Sequence, residues 1–155
     1  MNPDAGAVTM QPIGVVRSPV KEGVDEGWGT VVSEIHLLEE YGPGLLGLEE
    51  FSHVIVVFLM HQATFNPDDL VRRPRGRANM PEVGIFAQRA KHRPNPIGLT
   101  AVRLLSVAGN VLTVRGLDAI DGSPVLDIKP YFAAFDRVDD ASAPQWADRL
   151  MEGYF

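Results

Sequence analysis

The chain contains no cysteine among its 155 residues, so disulfide bonds, thiolate nucleophiles and cysteine-ligated zinc are excluded. Long apolar runs are also missing. The longest, residues 54–60, is far shorter than the roughly 18 residues that cross a bilayer. The N-terminus lacks the charged and then apolar pattern of a signal peptide. These absences predict a soluble protein of a reducing compartment, the cytoplasm, with no membrane association.

Signatures of several common enzyme classes are missing as well. The glycines around Trp28 and Pro43 lack the strand and the following helix that a phosphate-binding loop requires, so a Rossmann-type nucleotide site is not expected. No Gly-x-Ser-x-Gly motif occurs, which argues against serine hydrolase chemistry. No metal site is predicted from the histidines, because they do not share the close spacing of a metal-binding helix: His36, His53, His61 and His92.

Apolar runs separated by turn residues dominate what is present. They predict strands over residues 12–17, 30–38, 52–61, 83–88, 97–108, 111–117 and 125–132. The run 52–61 is continuously apolar and is typical of a strand buried on both faces, and Gly109-Asn110 predicts a two-residue hairpin. Around Gly42, any helix should break. The fold class is therefore all-β, a barrel or a sandwich with short helical turns.

One domain is expected from the length and from a composition that is 45% hydrophobic and 22% charged. We place it at residues 11–140. A flexible N-terminus at residues 1–10 precedes it. Residues 141–155 follow as a tail with a short C-terminal helix, because Pro144 suits a first helical turn and Trp146 and Leu150 recur at helical spacing.

Charge is distributed unevenly along the chain. The net charge is −6, yet residues 72–93 hold seven lysines and arginines against Glu82 alone. A basic strip on an acidic body suits one anionic partner held in one orientation, although charge runs are usually solvated loops. The candidate RNA-binding residues of this strip are Arg72, Arg73, Arg75, Arg77, Lys91, His92 and Arg93.

Two blocks concentrate prolines, glycines and charged residues beyond what a stable fold needs. In residues 89–100, Pro94 and Pro96 restrict the backbone, so a rigid arm presents Arg93 and Asn95 in set directions. In residues 117–131, carboxylates surround the turn that begins at Asp121, whose side chain should hydrogen-bond its own backbone. The chemistry is expected where these two blocks converge.

Charges beside apolar strands need partners, because an unpaired buried charge costs several kcal/mol. Asp118 and Lys129 lie in such places, as does Arg89. For Arg89, a structural ion pair with Asp118 or Asp127 and a role in binding remain equally open.

Five ordered motifs resemble those of the TsaA/YaeB family: IGVVRSP at 13–19, LEEFSH at 48–53, GIFAQR at 84–89, RPNPIGL at 93–99 and DGSPVLDIKPY at 121–131. The resemblance implies a small closed or partly open β-barrel that binds S-adenosylmethionine, commonly as a homodimer with the cofactor near the subunit interface. It also implies methylation of N6 of threonylcarbamoyladenosine beside the tRNA anticodon.

Carried over to this chain, the resemblance implies cofactor-binding roles for His61, Gln62, Arg89, Leu99, Leu117, Asp118, Ala119 and Ile120, with a contribution from the Gly27-Trp28 loop. Structural or pocket-lining roles fall to Asn95, Asp127, Lys129 and Tyr131. The acceptor nitrogen needs a nearby base, for which His61 and Asp118 are both catalytic candidates.

The expected function is thus an S-adenosylmethionine-dependent tRNA methyltransferase whose basic strip contacts anticodon-loop phosphates. Two alternatives remain open on the residues alone. One is a non-catalytic RNA-binding module without a cofactor. The other is a metal-dependent phosphoesterase that uses Asp118, Asp121 and Asp127.

Overall fold

Eight strands and two short α-helices, together with five 3-10 helices, form within residues 6–155, the part of the chain that the computed structural model describes. The strands are β1 (Gly14–Arg17), β2 (Val32–Leu37), β3 (His53–Leu59), β4 (Val71–Arg72), β5 (Val83–Gly84), β6 (Ile97–Ala108), β7 (Val111–Arg115) and β8 (Pro124–Pro130). The helices are α1 (Ala133–Asp136) and α2 (Gln145–Leu150). Part of the predicted flexible N-terminus, residues 1–5, lies outside the described residues.

The barrel is closed by six of these strands in the order β1-β2-β7-β6-β3-β8, with every neighbouring pair antiparallel. Closure removes the exposed sheet edges that an open sheet would present. The all-β barrel is confirmed, as is the C-terminal helix, which forms as α2. Strands β4 and β5 pair separately as a small ribbon. Within residues 6–155, no helix has the length and apolarity needed to cross a membrane.

The core fills the interior of the barrel with alternate residues of each strand, as the two-residue period of a strand requires. On β3 the side chains of Val54, Val56 and Phe58 are buried, whereas Ile55 and Val57 are only half-buried on the outside. The prediction that this strand is buried on both faces is wrong. A six-stranded barrel has one covered face, so the apolar outer residues of β3 remain partly exposed.

A close backbone approach joins β1 to β2. A Cβ placed on Gly14 would lie 2.5 Å from the carbonyl oxygen of His36 and 2.9 Å from the Cα of Leu37. Both contacts are to backbone atoms of the paired strand, which cannot move without breaking the β1–β2 pairing. Gly14 therefore has no room for any side chain.

Local predictions were confirmed at one turn and wrong at two others. Gly109 adopts a positive φ of 60° in the hairpin between β6 and β7, as predicted. The predicted strand 83–88 ends after Gly84, and Ile85–Ala87 forms a 3-10 turn. The Gln88 side chain stabilises that turn by donating to the Arg72 and Val83 carbonyl oxygens. Gly42 and Pro43 lie within a 3-10 helix, Glu39–Leu45, so the chain continues as a 3-10 helix where a break was predicted.

The turn after β7 is tied to the loop after β1 through Asp121. Its Oδ1 accepts from the Ser18 backbone N–H at 2.9 Å, and its Oδ2 pairs with the Lys21 ammonium at 2.8 Å. The expectation that Asp121 bonds its own turn is therefore wrong, because a distant loop supplies the donors. The Lys21 hydrogen bond, followed by the Ser18 N–H, lowers the pKa of Asp121 below its ordinary value.

This pairing predicts a stability that weakens in acid. Because the folded-state pKa is lowered, the contribution of Asp121 is present above the unfolded value of about 3.9 and is lost as pH falls through the folded pKa. In urea titrations, Asp121→Asn should lower the free energy of unfolding at pH 6, and the difference from wild type should shrink toward pH 3. Lys21→Gln should reduce this pH dependence. A difference that stays constant over this range would contradict the assignment.

Candidate functional site

A cavity of about 1410 Å³ lies beside the start of β6 and the end of β3. Residues of both unusual sequence blocks line it, including Arg89 and Leu99 from the first and Asp118 and Tyr131 from the second. The expected convergence of the two blocks therefore occurs. The volume exceeds the roughly 300–1,000 Å³ of ordinary ligand pockets, so the cavity is large enough for a small-molecule ligand.

The predicted cofactor-binding residues divide into three groups. Five of them line the cavity: Gln62, Arg89, Leu99, Asp118 and Ile120. Leu117 and Ala119 are instead buried in the barrel core, at 0% and 1% exposure. Burial alternates along residues 117–120, so successive side chains of this run lie on opposite sides of the chain. His61 is exposed and does not line the cavity; its Nε2 lies 3.9 Å from the position that a Cβ on Gly122 would take.

Asp118 is held by two hydroxyl donors. The Thr100 hydroxyl donates to its Oδ1 at 2.5 Å, and the Tyr154 hydroxyl donates to its Oδ2 at 2.5 Å. Hydrogen bonds to an ionised acceptor are short and strong. Burial, and then the negative charge of Asp118, raise the pKa of Tyr154 well above its ordinary value. The phenol therefore keeps its proton and acts as a donor.

Sequence reasoning missed both of these donors. Thr100 ends the first block, and its position on the inward face of β6 was a usable signal. Tyr154 carried no such signal, because it lies 36 residues from Asp118 and outside every motif.

Arg89 and the charges near it make contacts that differ from the predicted ion pairs. Its guanidinium donates to the Leu99 carbonyl oxygen, and within residues 6–155 it forms no ion pair with Asp118 or Asp127. Asp127 instead pairs with Lys129 at 2.8 Å, and this hydrogen bond raises the pKa of Lys129. Neither member of that pair lines the cavity, whereas Asn95 and Tyr131 do.

The basic strip forms one wall of the cavity. All of its predicted RNA-binding residues line it except Arg77. Three guanidiniums also hydrogen-bond backbone carbonyls and so stabilise the conformation of the strip. Arg72 donates to the His92 carbonyl at 2.6 Å, Arg73 donates to the Met80 carbonyl, and Arg93 donates to the Gln88 carbonyl at 3.0 Å. A guanidinium has five N–H donors, so these contacts leave donors for a ligand. The strip is thus an ordered part of the cavity wall. Arg93, which was expected to extend from a rigid arm, is instead hydrogen-bonded to the backbone of the strip.

Arg75 adopts an unusual conformation at the edge of the wall. Its φ of 54° is in the left-handed region, which costs roughly 1–2 kcal/mol for a residue with a side chain. Its guanidinium lies 5.8 Å from the centre of the Tyr154 ring and 3.6 Å from the Asp25 carboxylate. Trp28 lies nearby in the cavity wall, buried and donating to the Val24 carbonyl at 3.0 Å. Cation–π and ionic contacts therefore join three loops around the cavity.

The carboxylates proposed for a phosphoesterase are not brought together. Asp118 bonds two hydroxyls, Asp121 pairs with Lys21 and Asp127 pairs with Lys129. In the described part of the chain, no three histidine, aspartate or glutamate side chains are grouped so that they could hold a metal ion. The donor set for that alternative is not assembled.

Comparison with known proteins matches this architecture to one family. The model of the tRNA-methyltransferase O N-terminal domain matches residues 21–137. An S-adenosyl-L-methionine-binding protein of Archaeoglobus fulgidus is 44% identical over 88% of this chain and 98% of its own length. A tRNA (adenine(37)-N6)-methyltransferase of Escherichia coli is 42% identical over 86% of this chain and 61% of its own length.

Solved structures agree with the sequence relatives. The crystal structure of TrmO from Pseudomonas aeruginosa superposes with a TM-score of 0.76 at 33% identity, over 94% of this chain and 64% of that chain. A second TrmO crystal structure superposes with a TM-score of 0.73 at 35% identity. The chain described here thus spans somewhat under two thirds of these two structures. On its sequence, its barrel and the match over residues 21–137, the chain belongs to the tRNA-methyltransferase O N-terminal domain family, as its resemblance to TsaA/YaeB proteins implied.

Proposed function

We propose that this protein is an S-adenosylmethionine-dependent methyltransferase that modifies N6 of adenine 37 in tRNA, with the threonylcarbamoyl derivative as the acceptor. The observation that carries the proposal is the cavity itself, which is lined both by Asp118 and by arginines of the basic strip. Relatives at 42–47% identity are named for S-adenosylmethionine binding or for this tRNA methylation.

The residues of the cavity fit such a cofactor. Leu99, Phe86 and Ile120 offer apolar surface for an adenine ring, and the oriented Asp118 carboxylate is an acceptor for hydroxyl or amino donors. Arg89 adds a cation suited to a carboxylate. When bound, S-adenosylmethionine supplies an electrophilic methyl group on a sulfonium. These residues would hold it without the glycine-rich loop of a Rossmann fold.

The chain contributes chiefly orientation to methyl transfer. Fixing two reactants in a productive geometry is worth up to about 7–11 kcal/mol, and a cavity whose walls are pinned by many hydrogen bonds serves that end. The acceptor nitrogen must lose a proton. Of the two candidate bases, Asp118 lines the cavity and His61 does not, so we assign the proton acceptor to the Asp118 carboxylate.

The proposed activity is tested by mass spectrometry of tRNA nucleosides. Purified protein is incubated with unmodified and with threonylcarbamoyl-modified tRNA and with isotope-labelled S-adenosylmethionine. Label is expected in one nucleoside, threonylcarbamoyladenosine, and only with the modified tRNA. Label in unmodified adenosine would support the methyltransferase activity but would show that adenosine, and not threonylcarbamoyladenosine, is the acceptor. Label in no nucleoside, with cofactor binding intact, would overturn the tRNA substrate.

A tRNA substrate should contact the basic strip outside the cofactor cavity. Arg77 is exposed and does not line the cavity, so Arg77→Ala should weaken tRNA binding and leave cofactor affinity unchanged. The slope of log affinity against log salt should fall by about 0.7–1, the change expected for one lost phosphate contact. Arg115→Ala, an exposed arginine on β7, is the matched control. Equal effects of the two variants on tRNA affinity and salt slope would contradict the placement.

We also propose a homodimer in the cytoplasm, formed through the outer face of β3 and β6. In this face Val57 pairs with Leu99 and Leu59 pairs with Ile97. Leu99 is 50% exposed and Ile97 38% exposed, and a continuous apolar sheet face is typical of an interface. Because both residues also line the cavity, a second copy would lie at its rim. Sedimentation equilibrium should give twice the chain mass; a monomer at all concentrations would contradict this.

A further inference from the structure

The segment 150–155 lies across the cavity, although it is outside the stretch that matches the family model. Leu150, Met151, Tyr154 and Phe155 all line the cavity. Two backbone hydrogen bonds fasten the segment to the opposite loop: the Gly27 N–H donates to the Gly153 carbonyl at 2.9 Å, and the Trp28 N–H donates to the Tyr154 carbonyl at 2.8 Å. The segment is thus held by the backbone, in a defined register.

The loop is shaped to receive this segment. A Cβ on Gly29 would lie 2.5 Å from the carbonyl carbon of Phe155, so only glycine permits the observed approach. Trp28 beside it is almost fully buried. The loop and the segment therefore pack backbone against backbone, which fixes where the Tyr154 side chain enters the cavity.

The Tyr154 ring brings its hydroxyl to Asp118. The ring lies beside the Arg75 guanidinium, and the hydroxyl donates to Asp118 Oδ2 while Thr100 donates to Oδ1. Each carboxylate oxygen keeps a further lone pair. Two donors on opposite oxygens restrict the orientation of the Asp118 carboxylate, which lines the cavity and keeps acceptor capacity for a ligand.

We propose that Tyr154 is a positioning residue of the cofactor site: its hydroxyl, together with that of Thr100, fixes the orientation in which Asp118 receives the cofactor. This inference rests on the proposed function. It assigns a role in the site to a residue of the C-terminal segment, outside the matched region. Tyr154 acts through Asp118 and need not touch the ligand.

The test is a double-mutant cycle measured by calorimetry with S-adenosylhomocysteine. Tyr154→Phe removes the hydroxyl and keeps the ring. It should lower the affinity about 3- to 10-fold, the effect of one hydrogen bond to a charged group acting indirectly. In an Asp118→Ala background the same change should alter the affinity less than about twofold, because the carboxylate that it orients is gone. Tyr41→Phe, at an exposed tyrosine that does not line the cavity, is the control and should change little.

A urea titration of each variant separates positioning from a merely structural role. If Tyr154 only stabilised the fold, Tyr154→Phe would lower the urea midpoint and leave the affinity of the folded protein unchanged, which would overturn the inference. Additive losses in the cycle would overturn it too, since Tyr154 would then act independently of Asp118. Tighter binding by Tyr154→Phe would mean that the segment competes with the cofactor. No heat with the wild-type protein would overturn the proposed cofactor and, with it, this inference.

Discussion

Asp118→Asn is expected to lower the affinity for S-adenosylhomocysteine by about 10- to 100-fold, the loss of a strong charge-assisted hydrogen bond. The variant keeps the shape of the side chain, and an amide can still bond the Thr100 and Tyr154 hydroxyls because hydroxyls both donate and accept. Folding should therefore persist, and calorimetry reports the loss of the charge. Methyl transfer at saturating cofactor should also slow, because an amide cannot take the proton.

Two comparisons make the Asp118 result specific. Glu34→Gln, an exposed carboxylate on β2 that does not line the cavity, should bind the cofactor like wild type. His61→Gln should leave the rate at saturating cofactor within about threefold, since His61 does not line the cavity and general-base loss usually costs about 10²–10⁴. Wild-type affinity and rate in Asp118→Asn, with a large loss in His61→Gln, would reverse the assignment of the base.

Gly14→Ala is expected to destabilise the barrel strongly. The new Cβ would meet backbone atoms of His36 and Leu37 at 2.5 and 2.9 Å, and these atoms are fixed by the pairing of β1 with β2. Overpacking in a rigid site costs about 1–3 kcal/mol, and we expect the upper end of that range. Chemical denaturation should show a lower midpoint with little change in slope.

Gly44→Ala is the matched control for Gly14→Ala. Gly44 has no atom within 4 Å of the position that a Cβ would take, and it does not adopt a positive φ. Replacing such a glycine usually stabilises by about 0.4–1 kcal/mol, because the unfolded chain loses freedom. Similar midpoints for the two variants would show that β1 can shift away from β2, contrary to the packing described.

The strands of the barrel and the blocks of its cavity were predictable because their signals are local. Residues 97–108 and 111–115 form the hairpin that Gly109-Asn110 indicated, since turn chemistry and strand periodicity depend on neighbouring residues. The two motif blocks predicted one shared site, and Asp118 and Arg89 both line the cavity. The sequence did not predict that Leu117 and Ala119 are buried in the core while Asp118 and Ile120 line the cavity. The resemblance to the family assigned all four residues to the cofactor site without distinguishing the two sides of the chain.

The sequence by itself determined the all-β class, the family, the basic strip and the two blocks that converge on the cavity. Only the tertiary structure decided which polar groups meet. Ser18 reaches Asp121 across 103 residues and Tyr154 reaches Asp118 across 36. These contacts form because barrel closure and the packing of residues 150–155 against the cavity bring the groups together. A local sequence pattern carries no information about a contact between segments that are distant in the sequence.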